Sequence, residues 1–126
     1  MKTITIAAQG ITLQAELNNS PTAQAILKAL PIEGTANRWG DEIYFEIPVV
    51  MPQEPEARAN VEVGELGYWP VGHAFCIFFG PTPASSDQRP RAASPVNVFG
   101  RIIGDATTSL KKVKEGAKVR IERDRL

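Results

Sequence analysis

One cysteine and one histidine are all the chain has of the two side chains most used to hold transition metals. A thiolate cluster and a multi-histidine site are therefore excluded within it, and Cys76 has no intrachain partner for a disulfide. Also missing are a Gly-x-Gly-x-x-Gly turn after a strand and a Gly-Lys-Ser/Thr phosphate loop. No apolar run approaches the ~20 residues that span a bilayer. The opening residues run straight into Thr3-Ile-Thr-Ile6, too short an apolar stretch for a secretion signal. Net charge is lacking as well. Fourteen basic residues balance fourteen acidic ones, so no overall field draws nucleic acid or an anionic membrane. From these absences we expect a cytoplasmic protein with no metal, no cofactor, no nucleic-acid partner and no membrane partner.

What is present is a chain of 126 residues, one domain over 1–126, with enough apolar side chains to build a core without staples. Ile4 and Ile6 alternate with threonines, Gln9-Gly10 supplies a turn, and Ile11, Leu13, Ala15 and Leu17 alternate again. That is an N-terminal hairpin with one face buried. Ser20-Pro21 starts a helix, with a capping hydroxyl and a proline at the first helical position. Ala23, Ile26, Leu27 and Leu30 follow at helical spacing until Pro31 ends it. Gly34 to Trp39 is a strand candidate. Ile43, Phe45 and Ile47 alternate with Glu42, Tyr44 and Glu46 in a half-buried strand.

The run Ala74-Phe-Cys-Ile-Phe-Phe79 is apolar on both alternate sides, which fits a strand buried on both faces. Two proline-rich excursions, 48–60 and 80–95, are long by ordinary loop lengths, which predicts function or mobility. Thr107 to Lys114 is a second short helix, and Ala117 to Glu122 a closing strand. The pattern predicts a mainly β fold: a closed, mostly antiparallel eight-stranded barrel with two short helices and its first and last strands side by side.

Chemistry is harder to find. Ser85 and Ser86 have no base near them in sequence and read as turn residues. Cys76, in mid-strand, reads as an inert core thiol. His73 reads as a loop histidine with a backbone partner. The C-terminal cations Lys111, Lys112, Lys114, Lys118, Arg120, Arg123 and Arg125 interleave with Glu115, Glu122 and Asp124, which describes a solvated face. Tyr68-Trp69-Pro70, lying between glycines, is the best candidate for a ligand wall.

Val98-Phe-Gly-Arg-Ile102 is similar to the Val-Phe-Gly-Lys/Arg-Val stretch that ends the proline pocket of cyclophilins, and Ala74 to Phe79 is similar to one of their strands. Through Asn37 to Phe45, Gly67 to Pro70 and Asn97 to Gly100, the chain resembles small single-domain cyclophilin-like proteins of bacteria and archaea, a family without an assigned function. The resemblance implies a cyclophilin-like barrel. It also implies a weak or specialised peptidyl-prolyl isomerase, which must lower an amide-rotation barrier of ~18–20 kcal/mol without a nucleophile. Matching Gly34-Thr-Ala-Asn-Arg38 to the cyclophilin arginine segment makes Arg38 the donor to the prolyl nitrogen. Trp39, Tyr68, Trp69, Phe78 and Phe99 would then shape the pocket. Three departures weigh against catalysis: Val96 stands where cyclophilins carry a histidine, their tryptophan falls near Arg91, and their phenylalanine, methionine and glutamine after the arginine have no counterparts in Gly40 to Ile47. The alternative is a non-catalytic binding module for a proline-containing peptide or a small apolar ligand, since binding alone does not favour a transition state. A third reading, a subunit of an amide-hydrolysing complex, rests on fold analogy alone.

Overall fold

In the computed structural model, which describes residues 2–124, the N-terminal alternation becomes a hairpin of β1 (Lys2–Ala8) and β2 (Ile11–Leu17). Its turn residues, Gln9 and Gly10, both take left-handed φ, 52° and 79°, so the tight turn twists with the strands it joins. Helix α1 (Pro21–Ala29) starts as expected: Ser20 Oγ accepts from the Ala23 N–H at 3.1 Å and proline fills the first turn. Such a cap contributes about 1 kcal/mol. The helix buries Thr22, Ala23 and Ile26.

The chain continues through β3 (Ile32–Thr35), β4 (Asn37–Arg38), β5 (Glu42–Glu46), β6 (Arg58–Asn60) and β7 (Glu65–Trp69). A 3₁₀ turn over Pro70–Gly72 leads to β8 (Ala74–Phe78), then β9 (Arg91–Ile102), α2 (Thr107–Lys111) and β10 (Lys118–Arg123).

Every pairing is antiparallel, along the path β3-β10-β1-β2-β9-β7-β8-β5-β4, with β6 joined to β9. The first and last strands lie side by side, Ile6 opposite Ile121. The closed eight-stranded barrel needs correction. Ten strands are present among the described residues, and the hydrogen-bonded path does not close on itself. Its two ends, β3 and β4, are successive parts of one segment joined through Ala36, so the chain bridges the gap that backbone bonds leave. Ala36 spends its own N–H and C=O on Ala117 and Gly116. The extra strands are pieces of two to four residues, too short to show an alternation.

Strand β8 is buried on both faces. Phe75, Ile77 and the following Phe79 point into the main core with Phe45, Tyr68 and Phe99. Phe75 lies at the centre of that stack, 5.1 Å from the Phe45 ring and 5.0 Å from that of Phe99. Ala74, Cys76 and Phe78 point the other way, into a smaller cluster with Val61, Ala92 and Val96. This second cluster lies on the outer face, under β6 and the first half of β9. The second excursion is accordingly shorter than expected, because pairing with β6 begins at Arg91. Pro95 is tolerated within β9 because the β6–β9 ladder is irregular there, and a missing N–H costs little.

Candidate functional site

A strand sends successive side chains to opposite faces, and this separates the predicted site residues. On β7, Leu66 and Tyr68 face inward while Gly67 and Trp69 face outward. Tyr68 is therefore a core residue rather than a ligand wall. Its hydroxyl donates to Val49 O at 2.6 Å and accepts from the Met51 N–H at 3.2 Å, fastening the first excursion to the barrel. Phe99 is also interior, edge-on to Phe75. Phe78 faces outward but is wholly buried.

Arg38 points away from the outer face. Its guanidinium donates to Val113 O at 2.7 Å, to Lys111 O at 3.3 Å and twice to Gly40 O, and it lies 5.1 Å over the Phe79 ring. Asp41 pairs with it at 3.4 Å. These bonds hold the α2–β10 connection against the β4–β5 turn. A guanidinium so engaged is a structural clamp in this arrangement.

Trp39 and Trp69 do meet, and Tyr44 and Glu42 of β5 join them around a pocket of about 190 Å³. Cys76 forms part of the wall from β8, and Ala92, Ala93 and Val96 of β9 close the far side. The register explains the hollow. Tyr44 and Gly67 flank Cys76 across the strands, and Trp69 lies opposite Ala74. Small residues at Ala74, Cys76, Ala92 and Ala93 leave the space that the large ones surround. Gly67 is required here, since a Cβ on it would come within 2.7 Å of Val96. Trp69 is held at both ends. Its indole N–H donates to Ser94 Oγ at 2.6 Å, and its ring lies so close to Gly72 that a Cβ there would meet it at 2.7 Å.

The chain has nine aromatic residues: five Phe, two Tyr and two Trp. Six are fully buried, namely Tyr68 and the five phenylalanines. The remaining three, Trp39, Tyr44 and Trp69, all line this one pocket. Hollows of about 570, 610 and 450 Å³ are roomier, but none of the three has a tryptophan or tyrosine in its wall.

Glu42 is the unusual member. It is only 6 % exposed, and no ion pair among the described residues includes it. Burial pushes its carboxyl up to about 7, and the Cys76 thiol beside it offsets only part of that. Cys76 itself is pushed well above the usual thiol range, first by burial and then by Glu42, and stays protonated. Glu42 and Tyr44 escape a reading of the sequence because their alternation with Ile43 and Phe45 looks like a solvent face. The two-sided apolar run of β8 carries the signal: its outer face has to be covered, and so does the strand beside it.

Among the described residues no group of three His, Cys, Asp or Glu side chains converges to hold a metal, and no helix is long and apolar enough to cross a membrane. Ser85 Oγ is occupied in its turn, donating to Arg89 O at 2.7 Å. Arg120 pairs with Glu33 and Glu122, both at 2.8 Å. Arg125 lies outside the described residues.

A family model described as cyclophilin-like matches residues 2–122. The solution structure of a hypothetical protein from Archaeoglobus fulgidus is similar over 98 % of this chain and 95 % of its own, with 42 % identity and a TM-score of 0.82. No curated protein matches the chain.

Proposed function

We propose, from the premise that the chain belongs to the cyclophilin-like family, that it is a non-catalytic binding module whose outer-face pocket takes one ring-sized, largely apolar group. The observation that carries this reading is the convergence of all three partly exposed aromatic residues on one hollow. Large apolar surface left in contact with water is costly unless something covers it. A dry cavity of ~150 Å³ accommodates benzene, so about 190 Å³ suits a prolyl ring or a group of similar bulk. Val96, at the position of the cyclophilin histidine, lines the same pocket, which puts an apolar wall where the enzymes have a polar group.

Isomerase activity has less support. Its essential donor would be Arg38, and that guanidinium is committed to the carbonyls of Gly40, Lys111 and Val113. Catalysis requires a group that interacts more strongly with the twisted amide than with the planar one. The pocket wall offers a carboxyl, a phenol and a thiol, and no cation.

The test is NMR on a panel of X-Pro peptides with wild type, Trp69→Ala and Arg38→Ala. Saturable shifts of the Trp39 and Trp69 indole signals, lost in Trp69→Ala and without faster cis–trans exchange, are expected. Arg38→Ala should lower stability yet keep that binding. Exchange accelerated by wild type and abolished in a folded Arg38→Ala would replace this reading with the isomerase. Absence of any indole shift would remove prolyl peptides as ligands.

A further inference from the structure

Three aromatic rings around a hollow are compatible with any apolar guest. A carboxyl among them is not, because an apolar guest gives it nothing and leaves it buried without a partner. Glu42 contributes such a carboxyl to this wall, between Trp39 and Tyr44 in the chain, with Trp69 of β7 lining the same hollow. Among the described residues no lysine or arginine pairs with it. The Cys76 thiol lies beside it, a weak donor whose S–H is directed at Ala74 O.

A positive group entering the hollow would meet the faces or edges of two indoles and a phenol, and a single negative charge. Rings attract a cation through their quadrupole by about 0.5–2 kcal/mol each, most when the site is desolvated. We propose that the pocket is a cation box whose guest is a methylated ammonium group, with Trp39, Tyr44 and Trp69 as the cage and Glu42 as the counter-charge. The inference rests on the reading of this hollow as a binding pocket and names the chemistry of its ligand.

The hydrogen-bond inventory and the rings together favour methylation. A primary ammonium carries three N–H donors. The lining side chains bring only the Glu42 carboxyl and the Tyr44 hydroxyl as oxygen acceptors, while Ala92, Ala93 and Val96 bring none. The two Glu42 oxygens and the Tyr44 hydroxyl are three acceptors, so a primary amine is satisfied only if it engages all of them at once. A trimethylammonium has no donors to satisfy, presents methyl groups to the rings, and fits within about 190 Å³.

Binding must depend on pH. The titratable groups facing the pocket are Glu42 and Tyr44 from β5 and Cys76 from β8; Trp69 of β7, the lining residues of β9 and Trp39 do not titrate. Cys76 stays neutral across the working range, which leaves Glu42, with its carboxyl near 7, to set the profile. At pH 5.5 only ~3 % of such a group is ionised, so affinity for a cation should be about thirty-fold weaker than at pH 8.5.

The experiment is a titration of the full chain, followed by tryptophan fluorescence at pH 5.5 and 8.5, with choline and its uncharged isostere 3,3-dimethyl-1-butanol. A short trimethyllysine peptide carries the same headgroup on a chain and distinguishes a free ligand from a protein-borne one. The expected result is at least ten-fold tighter binding of choline or the peptide than of the isostere at pH 8.5. The preference should vanish at pH 5.5 and in Glu42→Gln, a change close to the neutral form that burial already favours. Equal or tighter binding of the isostere at pH 8.5 would overturn the cation box and leave the apolar pocket standing. Failure of all three to bind would overturn the cation box, and the X-Pro titration then decides whether the apolar pocket stands. The comparison of charged and neutral ligand on wild type does not depend on any variant folding.

Discussion

Glu42 carries the largest measurable consequence at the scale of single residues. Its carboxyl titrates near the ordinary 4.5 in the unfolded chain and near 7 in the fold. The fold therefore prefers the protonated form. Its contribution to stability is full below pH 4.5, declines between 4.5 and 7, and stays low above. Each pH unit between those two values is worth ~1.4 kcal/mol, so the whole interval amounts to about 3 kcal/mol. Glu42→Gln should consequently be more stable than wild type at pH 8.5 by up to that amount. The difference should shrink steadily towards pH 5. Denaturant midpoints measured across that range check it, and a constant difference would mean that Glu42 ionises freely in the fold. A carboxyl kept at this cost to stability at neutral pH is consistent with the proposed binding pocket. None of this was legible from Glu42 itself, which in sequence is one acid among fourteen acidic residues. The two tryptophans were legible, since large amphipathic rings beside glycine and proline suit a surface hollow.

Among the elements, the first excursion departs most from expectation. Length and proline content suggest a segment that moves, yet it is fastened along its course. Tyr68 Oη holds Val49 and Met51. Asn97 accepts from the Glu54 N–H at 2.8 Å and donates to Pro52 O at 2.9 Å, while Glu54 returns its carboxylate to Thr22 at the head of α1. Tyr68→Phe should remove two bonds and cost about 1–3 kcal/mol, because Val49 O is left in a buried setting. Limited proteolysis should then cut within residues 48–57 before the barrel unfolds; unchanged protection would mean that Asn97 and Thr22 suffice. The hairpin, α1 and β8 could be read in advance because each declares itself locally, by alternation, a cap or a two-sided apolar run. The anchoring of the excursion could not. Tyr68 and Asn97 are remote from it in sequence, and only the β7–β9 pairing aims them at it.

At the scale of the molecule, the antiparallel order and the adjacency of the first and last strands were foreseeable, because bare strand edges are a hazard that barrels remove. The manner of closure was not. Strand β10 pairs with β1 on one side and β3 on the other, with Ile4 opposite Arg123 and Ile32 opposite Ile121. Both partners lie in the first third of the chain and must wait for residues 118–123. During synthesis, at roughly 5–20 residues per second, the first hairpin and α1 emerge seconds before the strand that covers them. Folding of this barrel is thus a late event governed by non-local pairing, and slow for its size. A ribosome-bound chain halted before Lys118 should remain open to protease and to chaperones, whereas one carrying β10 clear of the tunnel should acquire protection in a single step. Gradual protection as the chain lengthens would show that the outer strands nucleate without it.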